Sequence, residues 1–477
     1  MTPFVAFPER DSPDLHSARS HKESACMPSR PNILFLIADD HRASAISAYG
    51  DPTVRTPYLD RLCAEGTSFR RNCHMGGLRA AVCVPTRACV HTGAHIFRAS
   101  VSNDINDHQG RQTLDPDHTF LAELFRRNGY TTFGTGKWHN DKASFARSFS
   151  EVENVFFGGM DDHFAVPVQE YDPSGAYDSN RQRIGDRYST DLFGDAAIRF
   201  IERQDGSRPF FLYCAFTAPH DPRTPPPDWA GEYTPDSMPL PPNFMGQHPF
   251  DNGDMWLRDE QLADFPRTPE ETRRHIAEYY GMISDMDEKI GEIVDTLARN
   301  GLGEDTIVVY TADHGLSVGQ HGLLGKQNLY DHSVRVPLIM RGPGVPAAKQ
   351  IDALTHTYDI YPTLCELAGL QIPDQVDARS LMPLIDGTAE ETRPYVHAAY
   401  RHVQRMVQDR EWKLIRYYTN GGEGSEGSDR TQLFHLKSDS WELNDLSEEA
   451  GVKAERERLE KELARWRLEV DDPMTAE

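Results

Sequence analysis

In Cys83-Val84-Pro85-Thr86-Arg87 a thiol stands four residues ahead of a permanent cation. Taken alone, this pentapeptide fits a buried free cysteine beside a surface arginine better than it fits a reactive site. Other clusters change that balance, because they could all converge on the cysteine. Asp39-Asp40 sets two carboxylates side by side, a pair that repels unless a cation lies between them. Asp313-His314 adds a third carboxylate and an imidazole, while Lys137, His139 and His220 can bind an anion or move a proton. Scattered over a surface, the same residues would be ordinary solvated side chains, the usual fate of lysine above all.

Their positions favour the first reading. Asp39-Asp40 ends the apolar run 32–38, Lys137-Trp138-His139 follows 129–135, His220 follows 210–216, and Asp313-His314 follows 306–312. A continuous apolar run predicts a central parallel strand buried on both faces. In open α/β sheets, sites form at the carboxyl ends of such strands. The segments between have helical periodicity. Thr268-Pro269-Glu270-Glu271 reads as a capping box with proline at the first helical position, opening a helix that Asn300-Gly301 stops. Residues 120–127, 192–201 and 359–367 share that period, the last with Pro362 in its first turn. The expected fold is α/β, with a large mainly parallel or mixed sheet flanked by helices on both faces.

The proline-rich stretch 220–268 is long for a connection and is assigned to the substrate mouth. Past Gly387 the pattern changes to short strand-like runs at 395–400, 404–407, 412–418 and 432–436. Gly421-Gly422-Glu423-Gly424 reads as a hairpin tip, and 452–468 as an amphipathic helix using Leu459, Leu463, Trp466 and Leu468. We therefore expect an N-terminal extension (1–30), a catalytic domain (31–387) and a small C-terminal α+β domain of antiparallel sheet plus helix (388–477).

Composition bounds the partners. Over 477 residues the formal net charge is -24, which argues against nucleic acid or an anionic membrane as a bulk partner. Seven cysteines without a CxxC pair make neither a disulfide framework nor a zinc site, and they fit a reducing compartment. The polar first 30 residues read as disordered and hold no signal-peptide core, with Met27 an alternative start. No later stretch is apolar enough to cross a bilayer. The expected location is cytoplasmic, with export by another route left open.

With its landmarks in order, the chain resembles the formylglycine-dependent (type I) sulfatases of the alkaline phosphatase superfamily. The matching stretches are Pro31 to Asp40, Cys83 to Arg87, Gly136-Lys137-Trp138-His139, Ala218-Pro219-His220, Thr311 to Gly315, Lys326 and Asp359 to Leu364. Leu433-Phe434-His435-Leu436 and Glu442 to Leu446 match the family's ending, so the resemblance covers Pro31 to the C-terminus. It implies that a maturing enzyme oxidises Cys83 to formylglycine. One hydroxyl of the hydrated aldehyde then attacks sulfur to give a covalent sulfoenzyme, and the other expels sulfate. It further implies one divalent cation, calcium, held by Asp39, Asp40, Asp313, His314 and residue 83. Arg87, Lys137 and Lys326 would orient the diol and clamp the anion. His139 would collapse the diol, and His220, with Lys326, would assist the leaving alcohol. The implied substrate is a sulfated carbohydrate or another small organic sulfate ester; nothing in the sequence fixes an oligomeric state.

Three departures from the family pattern stand out. His91-Thr92-Gly93-Ala94 replaces the usual Leu-Thr-Gly-Arg continuation of the maturation signal. His314 stands where asparagine is common, which admits a more borderline metal than calcium. Asn140-Asp141 replaces Leu-Gly, a change expected to reshape the pocket wall. Two alternative functions stay open: a phosphonate monoester or phosphodiester hydrolase using the same formylglycine, and a non-catalytic sulfated-glycan binding protein if Cys83 stays unmodified.

Overall fold

Asn32–Ala38 (β1) is buried along its whole length, and its alternate residues enter two different cores. Four helices sort onto these faces: Cys83–Thr92 (α1), Ser189–Glu202 (α2), Pro269–Arg299 (α3) and Ile360–Leu367 (α4). Ile33, Phe35 and Ile37 pack with Ala88 and Val90 of α1 and Ile360 and Leu364 of α4. Leu34, Leu36 and Ala38 pack with Phe193 and Phe200 of α2 and Met286 and Ile290 of α3. The apolar run of β1 therefore reflects burial on both faces, as a strand inside a parallel sheet requires. The computed structural model describes residues 1, 30–104, 106–420 and 425–476; nearly all of the 1–30 extension and the Gly421–Gly424 tip lie outside the described residues.

Seven further strands join β1: Thr67–Cys73 (β2), Thr131–Lys137 (β3), Glu151–Phe156 (β4), Phe210–Ala215 (β5), Thr306–Ala312 (β6), Leu338–Arg341 (β7) and Lys349–His356 (β8). Their order is β8-β2-β7-β6-β1-β5-β3-β4, with β7 antiparallel to its neighbours. The four strands expected from sequence occupy adjacent central places (β6-β1-β5-β3), parallel and in register, so their carboxyl ends converge. Thr268 Oγ1 caps α3 by accepting from Glu271 N at 3.1 Å. The return bond of a full capping box is absent among the described contacts; the Glu271 carboxylate accepts from Arg274 at 2.5 Å instead.

Val396–Tyr400 (β9), Gln404–Gln408 (β10), Trp412–Tyr417 (β11) and Arg430–His435 (β12) form the small antiparallel sheet. Its edge is extended by Gly76–Gly77, paired parallel to β9, from the chain just ahead of Cys83. The last helix, Lys453–Glu469 (α5), buries Leu459, Leu463 and Trp466 as expected. Leu468 is 70% exposed, against expectation, because Val470 rather than Leu468 continues the buried i, i+3/i+4 series. Among the described residues, no helix is long and apolar enough to cross a membrane.

Candidate active site

Cys83 is the first residue of α1, so its side chain sits at the positive end of the helix. A ligand atom from each of Asp39, Cys83, Asp313 and His314 fits within one 4.8 Å cluster, and all four residues are buried. Asp39 and Asp40 leave the end of β1, and Asp313 and His314 leave the end of neighbouring β6. Two of the turning residues, Asp40 with φ 70° and His139 with φ 61°, hold left-handed values that are uncommon for non-glycine residues.

Each carboxylate has a cationic partner. Lys137 Nζ contacts Asp39, Lys326 Nζ donates to Asp40 Oδ1 at 2.9 Å, and Arg87 Nε donates to Asp313 Oδ2 at 2.8 Å. Repulsion among the acids is thus already offset by side chains, and a stronger indication of a metal comes from the atoms left over. His314 Nδ1 lies 2.9 Å from Asp40 Oδ1, which turns its Nε2 toward Asp39 Oδ1 at 3.7 Å and Asp313 Oδ1 at 3.5 Å. His314 Nε2 and Asp39 Oδ1 are buried with no hydrogen-bond partner. A lone pair facing two carboxylate oxygens is repulsive unless a proton or a cation lies between them. The residues present therefore fit a divalent cation held by Asp39, Asp313, His314 and residue 83, while Asp40 Oδ1, engaged by Lys326 and His314 Nδ1, stands beside that group.

The field at this point has readable consequences. Burial alone would push the Cys83 thiol up, but Lys137, His314 and Lys326 outweigh it and bring it down to about 6. Burial opposes charge on His314, yet Asp313 and Asp40 raise it to about 10, as expected where positive charge is wanted. Burial, then Lys137, holds His139 well below the ordinary histidine range, so its ring is neutral. His139 Nδ1 lies 3.0 Å from Cys83 Sγ, and Lys137 Nζ lies 3.9 Å from it. Arg87 is fixed by further bonds to the Lys137 carbonyl (2.7 Å) and the Tyr213 hydroxyl (3.2 Å).

Cys83, His139, His220 and Lys326 all line one cavity of about 250 Å³. His220 Nδ1 donates to the Asp221 carbonyl at 2.7 Å, and Nε2 lies 3.9 Å from Asp40 Oδ2. Every residue singled out from the sequence for this site is therefore in one place. The rest of the cavity includes residues that sequence reasoning did not name, among them Met160, Leu257, Arg258, Asp259 and Gln327. Leu257 to Asp259 belong to the proline-rich connection assigned to the mouth, the one signal that could have found them. Tyr213, inside β5, gave no signal.

Neighbouring residues of these motifs, and other buried histidines, fall outside. Trp138 is fully buried packing, stacked on His91 at 4.1 Å, so His91 completes the core beneath α1. His332 lies 3.2 Å from His321 and lines a different cavity with Arg42. Asn140 and Asp141 do not line the wall around Cys83. Asn140 Nδ2 donates to the Val84 carbonyl at 3.2 Å, and Asp141 caps the next helix by accepting from Ser144 N at 2.8 Å.

A doubly covered α/β sheet whose strand ends gather acids, fixed cations and a thiol around one small cavity defines a hydrolase of anionic esters. Residues 31–370 match the model of the sulfatase family, and 319–469 match the C-terminal model of N-sulphoglucosamine sulphohydrolase. The chain belongs to the sulfatase family, within the alkaline phosphatase superfamily, and is a sulfuric ester hydrolase. It is 27% identical to an N-acetylglucosamine-6-O-sulfatase of Bacteroides thetaiotaomicron, covering 91% of this chain and 85% of that one. A structure solved with its substrate D-glucosamine-2-N,6-O-disulfate superposes with TM-score 0.73 at 23% identity, covering 93% and 99% of the two chains. The phosphonate monoester hydrolase of Agrobacterium radiobacter has TM-score 0.71 at 23% identity, covering 92% and 96%. Both solved structures share the fold.

Proposed function

We propose that the protein hydrolyses the sulfate ester of a carbohydrate at residue 83, carried as formylglycine, beside a divalent cation at Asp39, Asp40, Asp313 and His314. The observation that carries this reading is the convergence of Asp39, Asp313 and His314 on the first residue of α1, with His314 Nε2 and Asp39 Oδ1 lacking partners. Hydrated formylglycine would supply one hydroxyl for attack and a second for release of sulfate. The cation, calcium on its oxygen-rich donors, would acidify the nucleophile and offset charge on the sulfate oxygens.

The chain's own residues divide the remaining work. Arg87, immobilised by Asp313, Tyr213 and the Lys137 carbonyl, fixes the floor of the site. Lys137 Nζ lies 3.9 Å from Cys83 Sγ and Lys326 lines the same cavity, so these two cations would meet a sulfate carried on residue 83. His139, neutral and in hydrogen-bond range of residue 83, takes a proton from it when sulfate leaves. In His220 the Nδ1 proton is committed to the Asp221 carbonyl, so Nε2 is the nitrogen left to serve the leaving oxygen, and to act there as an acid the ring must carry a proton on both nitrogens. The sugar is suggested by the N-acetylglucosamine-6-O-sulfatase relative.

His314 favours one second reading, phosphonate monoester or phosphodiester hydrolysis, because an imidazole donor suits a more borderline metal. Paired kcat/KM values on para-nitrophenyl sulfate and a para-nitrophenyl phosphonate, with matured protein, test the two. Faster sulfate hydrolysis is expected; a phosphonate preference of about tenfold or more would reverse the assignment.

A further inference from the structure

Between β4 and α2 the chain passes beside the site as a strap, residues 159–163, that carries none of the motifs. Gly159 and Met160 line the cavity of Cys83. The Gly159 carbonyl accepts from Lys137 Nζ. Its α-carbon faces the His139 ring, and a Cβ built there would lie 2.7 Å from Nε2 and 2.8 Å from Cε1. His163 Nε2 donates to the His220 carbonyl at 2.9 Å. Lys137, His139 and His220, which follow two different strands, are thus all tied to one short segment.

The far end of the strap is fixed by the first residue of α2. Ser189 N donates to the His163 carbonyl at 2.8 Å, and Ser189 Oγ donates to His163 Nδ1 at 2.7 Å. With Nδ1 accepting, the proton of the ring sits on Nε2, where the His220 carbonyl receives it as a hydrogen bond. At the other end, Gly159 has no positive φ, so its backbone does not call for glycine. The His139 ring does. Non-bonded heavy atoms settle at about 3.5 Å or more, so a methyl group at 159 would push the ring by roughly 0.7 Å. The same ring reaches residue 83 through Nδ1, 3.0 Å from Cys83 Sγ, so moving it disturbs that contact.

We propose that the strap 159–163 is a positioning element for the reaction: Gly159, by lacking a side chain, sets the His139 ring against residue 83, and His163 sets His220 through its carbonyl. The inference rests on the sulfatase reading of the site, which gives these two histidines their steps. A catalytic group displaced by a fraction of an ångström loses much of its effect while the fold around it is kept.

A double-variant cycle on matured protein tests it, with para-nitrophenyl sulfate as substrate. Gly159→Ala should keep the wild-type urea midpoint and lower kcat about 10- to 100-fold, with sulfated residue 83 accumulating in intact mass spectra. In a His139→Ala background the ring is gone, so adding Gly159→Ala should change kcat by less than about twofold; a merely structural glycine would multiply the two losses. His163→Ala should act through His220 and lose at least about fivefold more on phenyl sulfate, whose phenol leaves less readily, than on the para-nitrophenyl ester. The Gly159 cycle decides the matter even if His163→Ala fails to fold. Wild-type kcat in Gly159→Ala, multiplied losses in the double variant, or an equal loss on both esters in folded His163→Ala would overturn the proposal. His139→Ala without trapped sulfate would remove the step assigned to His139, while its coupling to Gly159 would still decide the strap. If matured wild type prefers the para-nitrophenyl phosphonate, the cycle is read on that ester, so the sulfatase reading and the strap fail separately.

Discussion

The two cavity histidines occupy unequal positions, and that difference can be measured. His139 touches Cys83 Sγ, whereas His220 is held by the Asp221 carbonyl beside Asp40. An acid matters most when the leaving group is poor. His220→Ala should therefore lose about 100-fold on a sugar sulfate and less than about tenfold on an activated aryl sulfate. His139→Ala should slow both substrates to a similar rate and accumulate sulfated residue 83, visible by intact mass. Equal losses in His220→Ala would contradict its assignment as acid. Asp313→Asn removes a donor from the cluster and a partner of buried Arg87, so bound metal should fall below one equivalent and activity should drop with it. Nine side chains of the site were readable in the sequence because each sits at or near a strand end or in a short motif, whereas Lys326, in a loop well past Ala312, was marked by the family resemblance alone. Asp221, Arg258 and Asp259 were not, since Arg258 meets Asp221 across 37 residues of an irregular connection that follows no period.

Elements position these side chains through a few local choices. Gly136 precedes Lys137 at the end of β3 with φ +85°, and a Cβ there would lie 1.9 Å from the Ala215 carbonyl of β5. Gly136→Ala should therefore destabilise the fold by about 1–3 kcal/mol from backbone strain alone. It should also displace Lys137 and cost activity out of proportion to stability; a variant with wild-type kcat/KM would show that β3 does not set the site. The central strands were legible because burial on both faces writes itself as an unbroken apolar run. β2 (Thr-Ser-Phe-Arg-Arg-Asn-Cys) was not, since its arginines are only half-buried and its buried polar residues mimic a loop. The four-residue β7 is too short to announce itself. Gly76–Gly77 could not have been read as a strand, because its pairing to β9 is entirely long-range.

Over the whole molecule, acid should act through buried histidines outside the catalytic cluster. Burial holds His91 and His275 down to about 3, and His248 and His321 down to about 4, from an ordinary 6.5. Their folded values lie below the unfolded one, so the unfolded chain takes up protons first as pH falls. The stability they contribute is fully present above about 6.5 and is lost as pH drops toward 4, with a slope approaching 1.4 kcal/mol per pH unit for each ring that must charge. Urea midpoints should thus fall steeply between about pH 6.5 and 5, and a flat profile would contradict this. The central claim concerns residue 83 itself. Mass spectrometry of the peptide spanning Ala81 to Arg87, from protein made together with a maturing enzyme and active on para-nitrophenyl sulfate, tests it most directly. The account predicts the aldehyde of formylglycine at residue 83; unmodified cysteine throughout a fully active preparation would contradict it.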